Sequence, residues 1–187
     1  MLVERAEIIR EKGTNRSQFL RGQIEKYTWV GLGSSYLMNE ISAAFLWVQI
    51  NARERIQTRR MAIHDNYRTA LLHLVAAGQI ETQEYPEGTE HNAHMFNIKL
   101  RDLDERDAMS AWLRARGIVA PFHYEPLHSS MAGKRFGRFC GLDRFTTAES
   151  ARLLRLPLFY NMTSKQQDRV ILSIEEFWRP KGLRKRT

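Results

Sequence analysis

The chain has 187 residues, 43% apolar and 27% charged, with a formal net charge of +8. That length holds one large or two small packed domains, and no apolar run approaches the roughly 20 residues that cross a bilayer. Cys140 is the sole cysteine, which excludes an intrachain disulfide and a cysteine-rich zinc centre.

From the N-terminus, Val3, Ala6, Ile8 and Ile9 form an apolar stripe, and Gly13 follows as a stop, so residues 2–12 are predicted helical. The segment carries charge and lacks the apolar centre of a signal peptide, so a cytoplasmic protein is expected. It starts without a capping residue, and we expect it to be the tail of a larger unit. Residues 13–35, "GTNRSQFLRGQIEKYTWVGLGSS", hold four glycines and little periodicity and read as a long loop. Such a loop inside a compact domain is often functional. Its "GLGSS" end runs into a helix, where backbone N–H groups and the helix dipole suit an anion. No third glycine or Lys-Ser/Thr pair follows, so neither a nucleotide loop nor a dinucleotide fingerprint is present, and a simple flexible turn is the better reading of the bare motif.

From Asn39 to Ala77 neither proline nor glycine occurs. Ile41, Ala44, Phe45 and Val48, then Ile56, Ile63, Tyr67, Ala70, Leu71 and Leu74, keep helical spacing, and Gly78 ends it. The spacing predicts one very long helix, or two nearly continuous ones bending near Asn51. Beyond it strands and helices alternate. "QIETQ" is a short strand, and "AHMFNIKL" places His94, Phe96, Ile98 and Leu100 on one face. Asp104 caps a helix with Ala108, Met109, Trp112 and Leu113 on one side, and "IVAPF" is the next strand. Thr146 with Glu149, and Thr163 with Gln166, spell capping boxes. "LRLPLF" is extended, and a last helix buries Val170, Ile171, Ile174, Phe177 and Trp178. The last nine residues, "RPKGLRKRT", carry +5 and leave +3 on the rest. They read as a solvated, disordered tail, and without an aromatic platform nucleic acid is not an expected partner.

The organisation is therefore an α/β chain in four stretches. Residues 1–38 are a remnant of a larger domain with a loop, 39–78 the bridging helix or helix pair, 79–178 a small α+β domain, and 179–187 the tail. The polar segment of interest is "FHYEPLH", 122–128. His123 and His128 are five apart, Pro126 forbids a helix, and a catalytic zinc wants three protein ligands. The count argues against metal unless His94 joins them. On its own the segment is either a proline-stiffened loop with satisfied histidines or a substrate-facing wall. His94, on an apolar strand face, reads as a core histidine or an orienter of that wall.

Taken together, four segments resemble one family. "GLGSSYLMNEISAAFLWVQI", "HMFNIKL", "FHYEPLH" and "LPLFYNMTSKQQDRVI" follow, in order, the wording of the DegT/StrS nucleotide-sugar aminotransferases. The resemblance covers 1–178 and implies the C-terminal part of the aspartate-aminotransferase fold, with pyridoxal 5′-phosphate (PLP) as cofactor. The closest wording implies amino transfer from glutamate to C4 of dTDP-4-keto-6-deoxyglucose. The family's Gly-Tyr-Asn asparagine, which reaches the partner subunit's PLP phosphate, becomes Ser35, and a family arginine becomes Leu37. The resemblance further implies that His123, Tyr124, His128 and His94 line the sugar side, and that Asn15 and Arg16 reach the nucleotide-sugar. None of Lys12, Lys26, Lys99, Lys134, Lys165, Lys181 and Lys185 has the family's Schiff-base setting, so no catalytic residue is assigned and the chain alone is expected to be inactive. The implied partners are a second copy or the missing N-terminal half. A non-catalytic dimerisation or regulatory module is the second reading, and a metal enzyme built on the histidines the third.

Overall fold

A computed structural model describes residues 2–179, so nearly all of the basic tail lies outside the described residues. The chain forms two compact units, Met1–Arg53 and Glu54–Thr187.

In the first unit, α1 (Leu2–Arg10) leads into the glycine-rich segment, which closes on itself. Gly13 takes φ +79°, and its carbonyl accepts from the Val30 and Gly31 amides at 2.8 and 3.1 Å. The Ser34 amide donates to Ile9, and the Lys12 amide to Ser34. Side chains are excluded where the strands of this loop cross. A Cβ on Gly13 would lie 1.9 Å from the Gly31 carbonyl oxygen, and one on Gly33 2.2 Å from the Gly13 nitrogen. The glycines that read as an anion loop or a flexible turn thus serve backbone contact. A short helix, α2 (Arg16–Leu20), missed by the periodicity, sits within it, and Arg21 clamps Glu7 through two bonds of 2.8 and 2.9 Å. Next comes α3 (Glu40–Asn51), capped by Asn39, whose side chain accepts from the Ser42 amide at 2.9 Å. Its apolar residues are not covered: Ile41 is 84% exposed and Phe45 71%.

The second unit holds the core. The predicted helix continues as α4 (Arg53–Ala70) and the short α5 (Leu72–Ala76), ending at Gly78 with φ +69°. Strands β1 (Glu81–Thr82), β2 (Phe96–Lys99) and β3 (Leu153–Leu156) form one antiparallel sheet in the order β1-β2-β3. Phe96 pairs with Leu156 and Ile98 with Leu154. These four side chains are buried with Ile63 and Tyr67 of α4, Met109 and Leu113 of α6 (Leu103–Arg114), and Ile174 of α9 (Ser164–Phe177). Each fully buried aliphatic or aromatic side chain contributes about 1.5–3 kcal/mol. Polar ties pin the same layers. Tyr67 donates its hydroxyl to the Pro157 carbonyl at 2.9 Å, and Gln167 donates to Ile63 at 2.7 Å. Burial drives the Tyr67 phenol well above its ordinary range. At the sheet edge Lys99 binds Glu81 and Glu149, each at 2.7 Å. Hydrogen bonds to Glu149 and then Glu81 hold its ammonium above its usual value.

Thr163 and Gln166 form the predicted capping box of α9. Elsewhere local chemistry departs from expectation. Asp102, not Asp104, caps α6 by accepting from the Glu105 amide, and Ala108 faces solvent. "IVAPF" is not a strand: Ile118 and Ala120 are buried, but only Phe122 makes a β-bridge, to Leu154. The helix at 146, α8 (Thr146–Arg152), lacks the predicted box: Phe145 stands at the N-cap, Glu149 binds Lys99 and Arg152, and Asp143 accepts from the Thr147 amide. A helix at Met131–Phe136, α7, went unpredicted; Ser130 caps it by accepting from Gly133. His94 is exposed, not on the core face. Positive φ at Ala93 breaks the alternation, and the strand begins only at Phe96.

Candidate functional site

The segment after α6 is anchored before it becomes polar. Gly117 ends the helix at φ +69°, Ile118 and Ala120 are buried, and the Arg155 amide donates to the Pro121 carbonyl at 2.9 Å. Held there, the chain presents His123 and Tyr124. Their rings meet edge to face at 5.5 Å. The Arg155 guanidinium lies 5.6 Å from the Tyr124 ring centre, in cation–π range. Tyr124 is 73% exposed. His123 Nδ1 and Arg155 Nε are both buried with no protein partner. Buried polar groups normally find partners, so this pair marks unused hydrogen-bonding capacity beside an exposed phenol.

Pro126 then opens a tight turn, its carbonyl accepting from the Ser129 amide at 3.0 Å and the Ser129 hydroxyl at 2.8 Å. His128 faces the other way. Its Nε2 donates to Asp143 at 2.8 Å, and its ring packs on Phe139 at 4.5 Å. The Thr147 hydroxyl and amide also donate to Asp143. That hydroxyl first, then His128, holds the Asp143 carboxyl below its usual value of 3.8. His128 is thus committed to a carboxylate, whereas His123 is not.

The other predicted residues have surroundings of their own. His94 has its carbonyl bonded by Arg60 and its ring exposed. In the first unit, Asn15 is spent on its own loop, its side chain accepting from the Thr28 amide at 2.7 Å. Arg16 is exposed at the start of α2, and Ser35 is exposed and bridged to Glu11. Among the described residues, none of His94, His123 and His128 belongs to a cluster able to hold a metal. Sequence reasoning missed Arg155 and Asp143. Alternation was the available signal for Arg155, since Leu154 and Leu156 on either side point into the core.

The pattern of the DegT/DnrJ/EryC1/StrS aminotransferase family matches residues 1–175. The chain belongs to this family. Its fold is shared with solved aminotransferases. One is the aminotransferase TlmJ from Streptoalloteichus hindustanus, at 22% identity and TM-score 0.75, covering 94% of this chain and 44% of that one. A DegT/DnrJ/EryC1/StrS aminotransferase from Brucella abortus is 27% identical, TM-score 0.71, with 87% and 42% covered. The PLP form of the sugar aminotransferase Spr1654 from Streptococcus pneumoniae is 22% identical, TM-score 0.72, with 91% and 42% covered. The chain spans less than half the length of these structures. PLP is the cofactor of the complete enzymes in this family. The described residues do not by themselves make a PLP site. A lysine that carries PLP must present an uncharged amine, usually by desolvation. Among the described lysines Lys99 alone is partly buried, and its two carboxylate partners keep it charged.

Proposed function

We propose that this chain is the C-terminal portion of a PLP-dependent nucleotide-sugar aminotransferase and contributes a wall of its active site. The observation that carries the reading is the family pattern running from residue 1 to residue 175 on a chain whose one sheltered described lysine is ion-paired. Within it, His123, Tyr124 and Arg155 bind and orient the sugar side of the substrate; His128, fixed by Asp143, holds the loop. Ser35 donates to the PLP phosphate of a partner subunit, and Asn15, Arg16 and His94 have peripheral substrate contacts. Residues 39–78 bridge the large domain to the small one. The stretches "REKGTNRSQFLRGQIEKYTW" and "GSSYLM" support a finer reading. They favour the dTDP-4-amino-4,6-dideoxygalactose transaminase of enterobacterial common-antigen synthesis, a cytoplasmic homodimer using glutamate and dTDP-4-keto-6-deoxyglucose. No helix among the described residues is long and apolar enough to cross a membrane.

The test has two arms. The purified chain with PLP and borohydride gives no lysine adduct and no amino transfer. Co-expression with a family N-terminal half restores transfer to the dTDP-keto-sugar, and in that enzyme Tyr124→Ala raises KM more than it lowers kcat. A lysine adduct and turnover by the chain alone defeat the first arm; activity untouched by Tyr124→Ala defeats the assigned wall. A second reading, a non-catalytic dimerisation module, is favoured by the uncovered apolar residues of α3, among them Ile41, Phe45 and Trp47. It predicts tight self-association without PLP.

A further inference from the structure

α4 and the segment before β2 bring together three residues that are not part of the candidate wall. His64 is 1% exposed, on the inner face of α4. Asp65 follows it and faces solvent, and His91 comes from the irregular stretch between β1 and β2. One ligand atom from each lies within 4.8 Å of the other two. His64 Nδ1 and Asp65 Oδ1 are 3.4 Å apart. Ligands about 2.0–2.1 Å from a tetrahedral zinc are about 3.4 Å from one another. That edge is therefore already at its bound length, and only His91, on the loop, has to close.

The surroundings orient the set. His64 Nε2 lies 2.7 Å from the Tyr85 hydroxyl, which donates onward to Gln83 at 3.3 Å. A ligating histidine typically donates its other ring N–H to such an acceptor, which fixes ring and tautomer. Here that donation leaves the Nδ1 lone pair directed to the side of Asp65. His91 stacks flat on Tyr85, centres 3.9 Å apart and planes 9° apart, and its ring centre is 4.3 Å from that of His64. Its Nδ1 accepts a long bond, 3.3 Å, from the Ala93 amide, and binding a metal through either ring nitrogen gives that bond up. Burial, then the charges of His91 and Arg68, disfavour a proton on His64, and Asp65 opposes them.

We propose that His64, Asp65 and His91 form a site for a divalent transition metal of the zinc class, with Tyr85 as the positioning residue. Two imidazoles and one carboxylate suit zinc or cobalt better than calcium or magnesium, which prefer all-oxygen sites. Three protein ligands leave a fourth position, and the exposure of Asp65 opens it to water. The metal ties the loop before β2 to α4, fixing the entry to the central strand. This site is independent of the PLP reading.

The test uses the purified full chain, stripped with chelator and titrated with Co²⁺ and then Zn²⁺. The expected result is one Co²⁺ per chain with the visible absorption of a four-coordinate site, displaced by Zn²⁺, and a raised Tm with either metal. His91→Ala and Asp65→Asn, both outside the core, abolish the spectrum and the Tm shift. Tyr85→Phe weakens binding by about 10-fold. His128→Ala, a control for the His128–Asp143 pair, leaves it intact. Absence of the spectrum and the Tm shift in the native chain overturns the proposal, as does His91→Ala binding Co²⁺ as tightly as the native chain.

Discussion

The two units present the same kind of apolar helix to different fates. In the second, α4 sends Ile63 and Tyr67 into a core shared with two strands and three helices, and both are almost wholly buried. In the first, α3 carries Ile41, Phe45 and Val48 at the same spacing, and each is more than 60% exposed. Apart from Glu11, Gly13 and Thr14, no described residue of the first unit is buried. Periodicity records that a face demands cover; it does not say which molecule supplies it. The second unit carries its own cover, whereas the apolar residues of α3 stay exposed.

Substitutions break or sharpen this contrast. The largest effect belongs to the central strand: Ile98→Ala, at a fully buried position, costs about 2–5 kcal/mol in denaturant unfolding. A loss under about 1 kcal/mol would mean that the second unit is not well packed and that the contrast fails. Next comes Tyr67→Phe, which removes the hydroxyl from the Pro157 carbonyl and costs about 1–2 kcal/mol by leaving a shielded acceptor unmatched.

Smaller is the effect of Thr147→Val. Asp143 titrates below 3.8 in the folded chain, chiefly through that hydroxyl. Its stabilisation is therefore complete above the unfolded value and is lost as pH falls through the folded one. The variant moves the Asp143 carboxyl midpoint, read by NMR, back up, and the stability difference from the native chain vanishes at the acid end. An unmoved midpoint would remove Thr147 from the network that holds His128. Smallest in stability is Phe45→Ser in α3, within about 0.5 kcal/mol of the native chain, yet it lowers self-association measured by sedimentation. A loss near that of Ile98→Ala would place Phe45 in an unrecognised core and dissolve the comparison.

Much of the fold was legible because it rests on local rules. The Thr163–Gln166 box and the Asn39–Gly78 helical stretch each announce themselves within a few residues, whereas the short helix expected to run through Leu154 ends at Arg152 and gives way to β3. The errors arose where tertiary partners outbid local ones. Glu149 serves Lys99 rather than a cap, and positive φ at Ala93 takes His94 off the strand face. The candidate wall was legible as residue types, through His123 and Tyr124. Arg155 and Asp143, 31 and 15 residues beyond Tyr124 and His128 respectively, become neighbours only when β3 and α8 fold back. The same holds for His64 and His91, brought together through Tyr85 across a segment without periodicity.

The crossing of Gly13 with Gly31 and Gly33 carries a consequence for how the first unit keeps its shape. With almost no buried side chains, its order resides in main-chain contacts too close for any Cβ. It behaves as a buckle more than a droplet. Amides at Val30 and Gly31 should then exchange with solvent slowly, islands of protection in a unit that otherwise exchanges fast. Across variants, Gly13 and Gly33, two positions with no side chain at all, should tolerate change least.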